Sequence, residues 1–224
     1  MTRPFFHVVL HEPEIPNNTG NIGRTCIATG CGLHLVKPLG FDTSEKALRR
    51  AGLDYWPRVG AIEHETWGDY LAWGGVGDSA TCHDAEPSAD QRRAPGDGGA
   101  IDRRHEAASE GSIVARGGER GHGCAADGKA VARGRRWFFS TKAVRTVWDA
   151  ELRVGDHFVF GKETRGLPEE MVAEHADSLL ALPMVAGERS LNLATAVCAV
   201  VYEGLRQGVV RGEIKLDSAG RIVR

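Results

Sequence analysis

Three short stretches of the chain gather residues whose types and spacing suit ligand chemistry. Residues 14–24, EIPNNTGNIGR, crowd amides, a hydroxyl and an arginine at the start of a helical pattern. A helix N-terminus offers unbonded N–H groups, and Arg24 stands one turn inside. Together they suit a phosphate or a ribose. The same residues also fit a plain helix cap followed by a solvated arginine. Residues 160–168, FGKETRGLP, place Gly161 and Gly166 where sharp bends bring main-chain groups against a ligand. Glu163 and Arg165 add both charge signs in one tight loop. A surface turn with a weak ion pair is the alternative, but the loop directly follows an apolar strand, which favours a site. Residues 182–194, LPMVAGERSLNLA, put Ser190 and Asn192 just ahead of an apolar helical pattern. Either could cap that helix, and a cap can also belong to a site.

The elements that must position these loops follow from hydrophobic periodicity. Residues 5–10, FFHVVL, read as a buried strand, which Pro13 and Pro16 end. Asn18 and Thr19 then cap a helix that runs through Ile22, Cys26 and Ile27 and stops at Gly30-Cys31-Gly32. A strand is predicted over 33–37, helices over 44–51 and 64–73, and strands over 137–140, 157–160 and 179–182. A long helix over 192–207 carries Leu193, Val197, Val200, Val201 and Leu205 at helical spacing. The β-loop-α-β start marks an α/β layered domain. Each of the three loops follows the C-terminal end of a strand, where open α/β sheets bind ligands.

Residues 75–135 differ in character. They hold twelve of the 29 glycines and only five large apolar residues, Val76, Ile101, Ile113, Val114 and Val131. Such a stretch buries too little surface to offset its ordering entropy. It is expected to be a disordered or loosely held insertion, or a segment foreign to the fold. Gly75-x-Gly77-x-x-Ala80 and Gly121-x-Gly123-x-x-Ala126 imitate a dinucleotide fingerprint, but neither follows a strand, so neither is taken as a site.

The whole chain sets outer limits. Its 224 residues fit one domain with an insertion, and 42% hydrophobic content suffices for a core. A net charge of −2 gives no global basic footprint, so binding to nucleic acid would need a local patch. The five cysteines, Cys26, Cys31, Cys82, Cys124 and Cys198, are odd in number and show no CxxC spacing. That argues against a zinc site or a disulfide framework and for a reducing, cytoplasmic setting. No signal peptide, no membrane-length segment and no metal site are expected.

Taken in order, NNTGNIGR, FGKETRGLP and LPMVAGERSLNLATAV resemble the three motifs of the SPOUT RNA methyltransferases. Within that superfamily the chain is most similar to the small tRNA wobble-nucleotide 2′-O-methyltransferases, and LRRAGLDY at 48–55 adds to the match. The resemblance covers residues 4–73 and 136–208 and has no counterpart for 75–135. It implies a methyltransferase domain made of residues 1–74 and 136–211, a 75–135 insertion and a 212–224 tail. The implied domain is α/β with a C-terminal trefoil knot, and such knots are rare. S-adenosylmethionine would bind in the knot against Phe139, Gly161, Leu182 and Ser190. Arg24 would act on the ribose 2′-hydroxyl of the tRNA wobble nucleotide, cytidine or uridine. Asn18, Asn21, Arg49, Arg50, Glu163, Arg165 and Asn192 would shape the pocket or hold substrate. Homodimers are implied, each site completed by the partner's first motif. Lys37, Arg49, Arg50, Arg58, Lys142 and Lys162 are candidate RNA contacts. His11 and His34 are conceivable bases but fit structural roles better. The alternatives are a ribosomal-RNA 2′-O-methyltransferase of the same superfamily and an inactive RNA- or cofactor-binding homologue.

Overall fold

A computed structural model describes residues 3–42, 55–74 and 134–223. The predicted helix over 44–51, the LRRAGLDY stretch up to Asp54, and Arg49, Arg50, Cys82 and Cys124 lie outside the described residues. So do both glycine fingerprints and all of 75–133. Two segments far apart in sequence, Met1–Ala80 and Ala132–Arg224, form one compact unit.

That unit is built on a six-stranded sheet. Its strands are β1 (His7–His11), β2 (Gly32–Val36), β3 (Ile62–His64), β4 (Arg136–Phe139), β5 (His157–Phe160) and β6 (Leu179–Leu180). They lie in the order β3-β2-β1-β5-β4-β6, and every pair is parallel. The chain lays β2 and β3 on one side of β1 and the later strands on the other. β1 and β5 therefore flank the point where strand order reverses, and ligands bind above such points.

Helices cover both faces. α1 (Pro16–Thr29) and α5 (Leu193–Val210) pack with Val8, Leu10, Leu33, Leu35, Phe158 and Phe160. The opposite face holds Val9, Val36, Phe138 and Val159 under α3 (Trp67–Gly74) and α4 (Glu169–Glu174). Strands sandwiched this way read as near-continuous apolar runs, which is why β1 and β5 were legible. A short α2 (Trp56–Val59) packs its Trp56 and Val59 against the first core.

Several boundaries moved for physical reasons. α1 begins at Pro16, not after Asn18, because proline suits the first helical position. Asn18 and Thr19 are thus inside the helix and do not cap it. The predicted helix over 64–73 starts only at Trp67, since His64 ends β3. The strand over 179–182 shortens to two residues, and Ala181 continues the sheet by bridging Thr146. α5 extends to Val210, with Asn192 as its cap. By length and a mean hydropathy of 1.2 this helix could cross a membrane, contrary to the expectation that no segment reaches that size. Its stripe of Val197, Val200, Val201 and Leu205 is nevertheless buried in the core. Beyond it, Ile214 is buried against Gly208, and β7 (Lys215–Leu216) pairs antiparallel with β8 (Ile222–Val223).

Candidate active site

A cavity of about 580 Å³ opens at the C-terminal ends of β4, β5 and β6. Phe139, Gly161, Leu182 and Ser190, the four expected cofactor contacts, all line it. So do Asn18, Glu163, Arg165 and Asn192. Asn21 and Arg24 do not. Arg24 lies on the exposed side of α1 with its guanidinium 4.5 Å from the centroid of the Tyr55 ring.

The wall from β5 depends on one close approach. Lys162 and Gly166 exchange backbone hydrogen bonds of 3.1 and 2.9 Å, which folds the loop back on itself. A Cβ on Gly161 would sit 2.1 Å from the Gly166 carbonyl carbon, so only glycine fits there. Gly166 turns the loop at φ +72, in the left-handed region that favours glycine. Phe139 stacks on Phe160 at 4.8 Å and forms the floor between β4 and β5.

Asn18 ties the three loops together. Its Nδ2 donates to Glu163 Oε1 at 3.1 Å, and its Oδ1 accepts from Asn192 Nδ2 at 2.9 Å. Asn192 Oδ1 meanwhile accepts from the backbone of Ala194 and Thr195, capping α5. Glu163 also accepts from the N–H groups of Glu14 at 2.9 Å and Ile15 at 3.3 Å. Ile15 is the N-cap of α1 and provides no side-chain bond of its own. A carboxylate from the second motif therefore takes the place of a local cap, where the helix dipole favours negative charge. The exchange is mutual. Glu14 Oε2 accepts from the backbone and hydroxyl of Thr164 at 3.1 and 2.7 Å. That hydroxyl hydrogen bond is the first reason the Glu14 carboxyl lies below its ordinary pKa.

These contacts correct two expectations. The N–H groups before α1 are not open to a phosphate, because Glu163 occupies them. Glu163 also turns to α1 and not to Arg165. Lys162 pairs with Glu12 at 2.5 Å, and Lys37 with Glu63 and Glu65 at 3.3 and 2.7 Å. Sequence reasoning missed Glu14, Thr141, Met184 and Arg189. Glu14 had no readable signal, because its partner lies 150 residues away.

Three motif loops from distant parts of the chain thus meet at one cavity above a parallel sheet. The sequence corresponds to the SpoU rRNA Methylase family over residues 5–83 and 128–202. The chain belongs to that family. A relative from Saccharophagus degradans, a tRNA (cytidine(34)-2′-O)-methyltransferase, is 34% identical over 203 residues, spanning 90% of this chain and 95% of its own. Another of the same name, from Acidovorax, is 34% identical over 203 residues and spans 90% and 91%. A solved structure bearing on 2-OH methylation of C/U34 on tRNA is 33% identical with a TM-score of 0.61, covering 92% of this chain and 97% of that one. The family match leaves out 84–127, within the Gly-rich block.

Proposed function

We propose that this protein transfers a methyl group from S-adenosylmethionine to the ribose 2′-hydroxyl of the wobble nucleotide of a tRNA. The single observation that carries this reading is the convergence of the three motif loops on the cavity, joined through Asn18, in a chain similar along nearly its whole length to tRNA (cytidine(34)-2′-O)-methyltransferases. The residues present suit the cofactor: an aromatic floor at Phe139, a close backbone turn at Gly161 and main-chain groups at Leu182 and Ser190. Bound there, S-adenosylmethionine supplies an electrophilic methyl on a sulfonium.

The chain's own groups do the rest. The loops hold the donor, and the acceptor oxygen must lie in line with the methyl. Arg24 orients the ribose and stabilises negative charge developing on its 2′-oxygen, since a guanidinium stays protonated and serves poorly as a base. Because Arg24 is outside its own chain's cavity, we infer a homodimer in which α1 of one protomer completes the site of the other. A C-terminal trefoil knot fits the way residues 182–192 close the cavity against residues 139–142 and 161–167. We also infer one methyltransferase domain from residues 1–74 and 136–211, interrupted by the 75–135 insertion. Trp73 lies 5.8 Å from the ring of His7, His7 is paired with His157, and His157 with Arg136, so the two ends of the gap meet at the N-terminal ends of the central strands β1, β5 and β4. The free thiols of Cys26 and Cys198 accord with the cytoplasm.

The test is methyl transfer from labelled S-adenosylmethionine to anticodon stem-loop RNA, with the modified ribose mapped. Label at nucleotide 34 is expected. Label only on ribosomal-RNA fragments would move the substrate to the ribosome, and cofactor binding without turnover would make the protein an inactive homologue.

A further inference from the structure

The loop that leaves β4 carries an exposed indole that the cavity does not explain. Its first residues, Thr141 and Lys142, line the cavity. It ends in a 3-10 turn, Val147–Asp149. That turn is held firmly. Thr146 donates from its N–H and hydroxyl to Asp149 Oδ2 at 3.0 and 2.5 Å. Val147 N–H donates to the Ala181 carbonyl, and Ala181 N–H to the Arg145 carbonyl, both at 2.9 Å. Ala181 precedes Leu182 of the cavity wall, so the turn is joined to the strand that forms that wall. Val147 and Leu152 are fully buried. The Trp148 side chain nevertheless stands 69% exposed, and Val144 99%.

A large aromatic face on a fixed backbone, on a loop whose start lines a ligand cavity, is a preformed contact: little ordering entropy remains to be lost on binding. Its surroundings point to one kind of occupant. Lys142 and Arg145 precede it on the same loop. Lys142 pairs with Glu169 at 3.0 Å, but both side chains are mostly exposed, so a phosphate can take the lysine. Arg145 donates to the Asp149 carbonyl and sits over the Trp137 ring at 5.5 Å. The Asp149 carboxylate is taken up by Thr146, which reduces its repulsion of a nearby phosphate.

We propose that Trp148 is a stacking platform for an unpaired base of the RNA, next to the nucleotide whose ribose enters the cavity, with Lys142 and Arg145 on the flanking phosphates. This rests on the function proposed above. Duplex RNA keeps its base faces stacked and hidden, whereas a loop base can turn out and lie on an indole. The platform therefore selects loops over stems, and it acts on RNA affinity and not on the methyl donor. Trp148 is a positioning residue.

The experiment compares full-length wild type with Trp148→Ala and Trp148→Phe on anticodon stem-loop RNA, by direct RNA binding and by turnover. Trp148→Ala is expected to weaken RNA binding and raise its KM about ten-fold. Its S-adenosylmethionine affinity and kcat should stay within two-fold, and Trp148→Phe should recover most of the loss. RNA should quench indole emission more in wild type than in Trp148→Phe. Wild-type RNA affinity in Trp148→Ala overturns the proposal. So does loss of the dimer on size exclusion, which would give the platform to a second copy of the chain. Wild type that binds this RNA without methylating it would sink the functional reading while the binding comparison still tests Trp148.

Discussion

At the C-terminal ends of the strands, polar side chains from three loops bond across an open cavity. Under α3, on the other face of the sheet, polar side chains form a closed file. His64 Nε2 lies 3.0 Å from His34 Nδ1, and His34 Nε2 lies 2.9 Å from His7 Nδ1. His7 stacks on His157 at 4.4 Å, and the Tyr70 hydroxyl bonds to His157 Nδ1 at 2.8 Å. Trp73 stands edge-on over His34 at 4.4 Å. A neutral imidazole has one N–H, so His34 must donate to one neighbour and accept from the other. Burial is the main cause of the low pKa values, about 4 for His7, about 2 for His34 and about 3 for His157. The rings run in file and do not converge on a point. The cavity groups are joined across motifs and reach solvent, so a ligand can exchange with their partners. The histidines satisfy one another, and His34, His64 and His157 are buried while His7 is half-buried. One arrangement suits function and the other holds α3 on the sheet, so His34 is not a base for the reaction.

The largest effect that would sharpen this contrast lies at Arg24. Arg24→Ala is expected to lower kcat by about 10²–10³-fold, as loss of one charge-stabilising donor does. Cofactor affinity by calorimetry should barely move, and a large fall would remove Arg24 from its proposed role. Mixing Arg24→Ala with a cofactor-site variant should restore part of the activity if the two groups belong to different protomers. Absence of any recovery would count against the shared site.

Gly161→Ala comes next. The added methyl meets backbone at 2.1 Å, with no flexible side chain able to give way. Overpacking of this kind costs about 1–3 kcal/mol, and the displaced wall should weaken S-adenosylmethionine binding at least ten-fold. An unchanged melting temperature and affinity would show that the turn is looser than drawn. Asn18→Ala should cost less, about 1–2 kcal/mol, by leaving Glu163 and Asn192 each short of one bond. Its mark should be slower turnover with all three loops loosened together, seen as faster amide exchange at residues 14–15, 163–164 and 194–195. Exchange confined to α1 would mean that Asn18 does not link them.

Much of the cavity was legible because each motif follows a strand whose apolar run is unmistakable, as in HFVF of β5. Asn192 could be read as a cap from its place before an apolar helix. The α1 start could not, because its cap arrives from Glu163, far along the chain. β3 was hidden by its brevity and by the exposed Ile62 and Glu63. The histidine file had no sequence pattern at all. Positions 7, 34, 64 and 157 share no spacing, and only the register of four parallel strands brings them to one face.

The most gradual effect concerns pH, and it acts on the closed file. Each of His7, His34 and His157 titrates near 6.5 when unfolded and well below that when folded. As pH falls below 6.5 the unfolded chain takes up protons that the folded chain refuses. Stability is therefore complete above about 6.5 and declines toward pH 4, by about 1.4 kcal/mol per pH unit for each buried histidine. Urea unfolding between pH 7.5 and 5 should show this slope. His34→Gln should lower stability at pH 7.5, because the file is interrupted, and flatten the slope by about one proton. Wild-type stability that stays level down to pH 5 would mean that water reaches these rings and that they take up protons in the folded chain as readily as in the unfolded one. In that case the contrast between a closed file and an open cavity would fail.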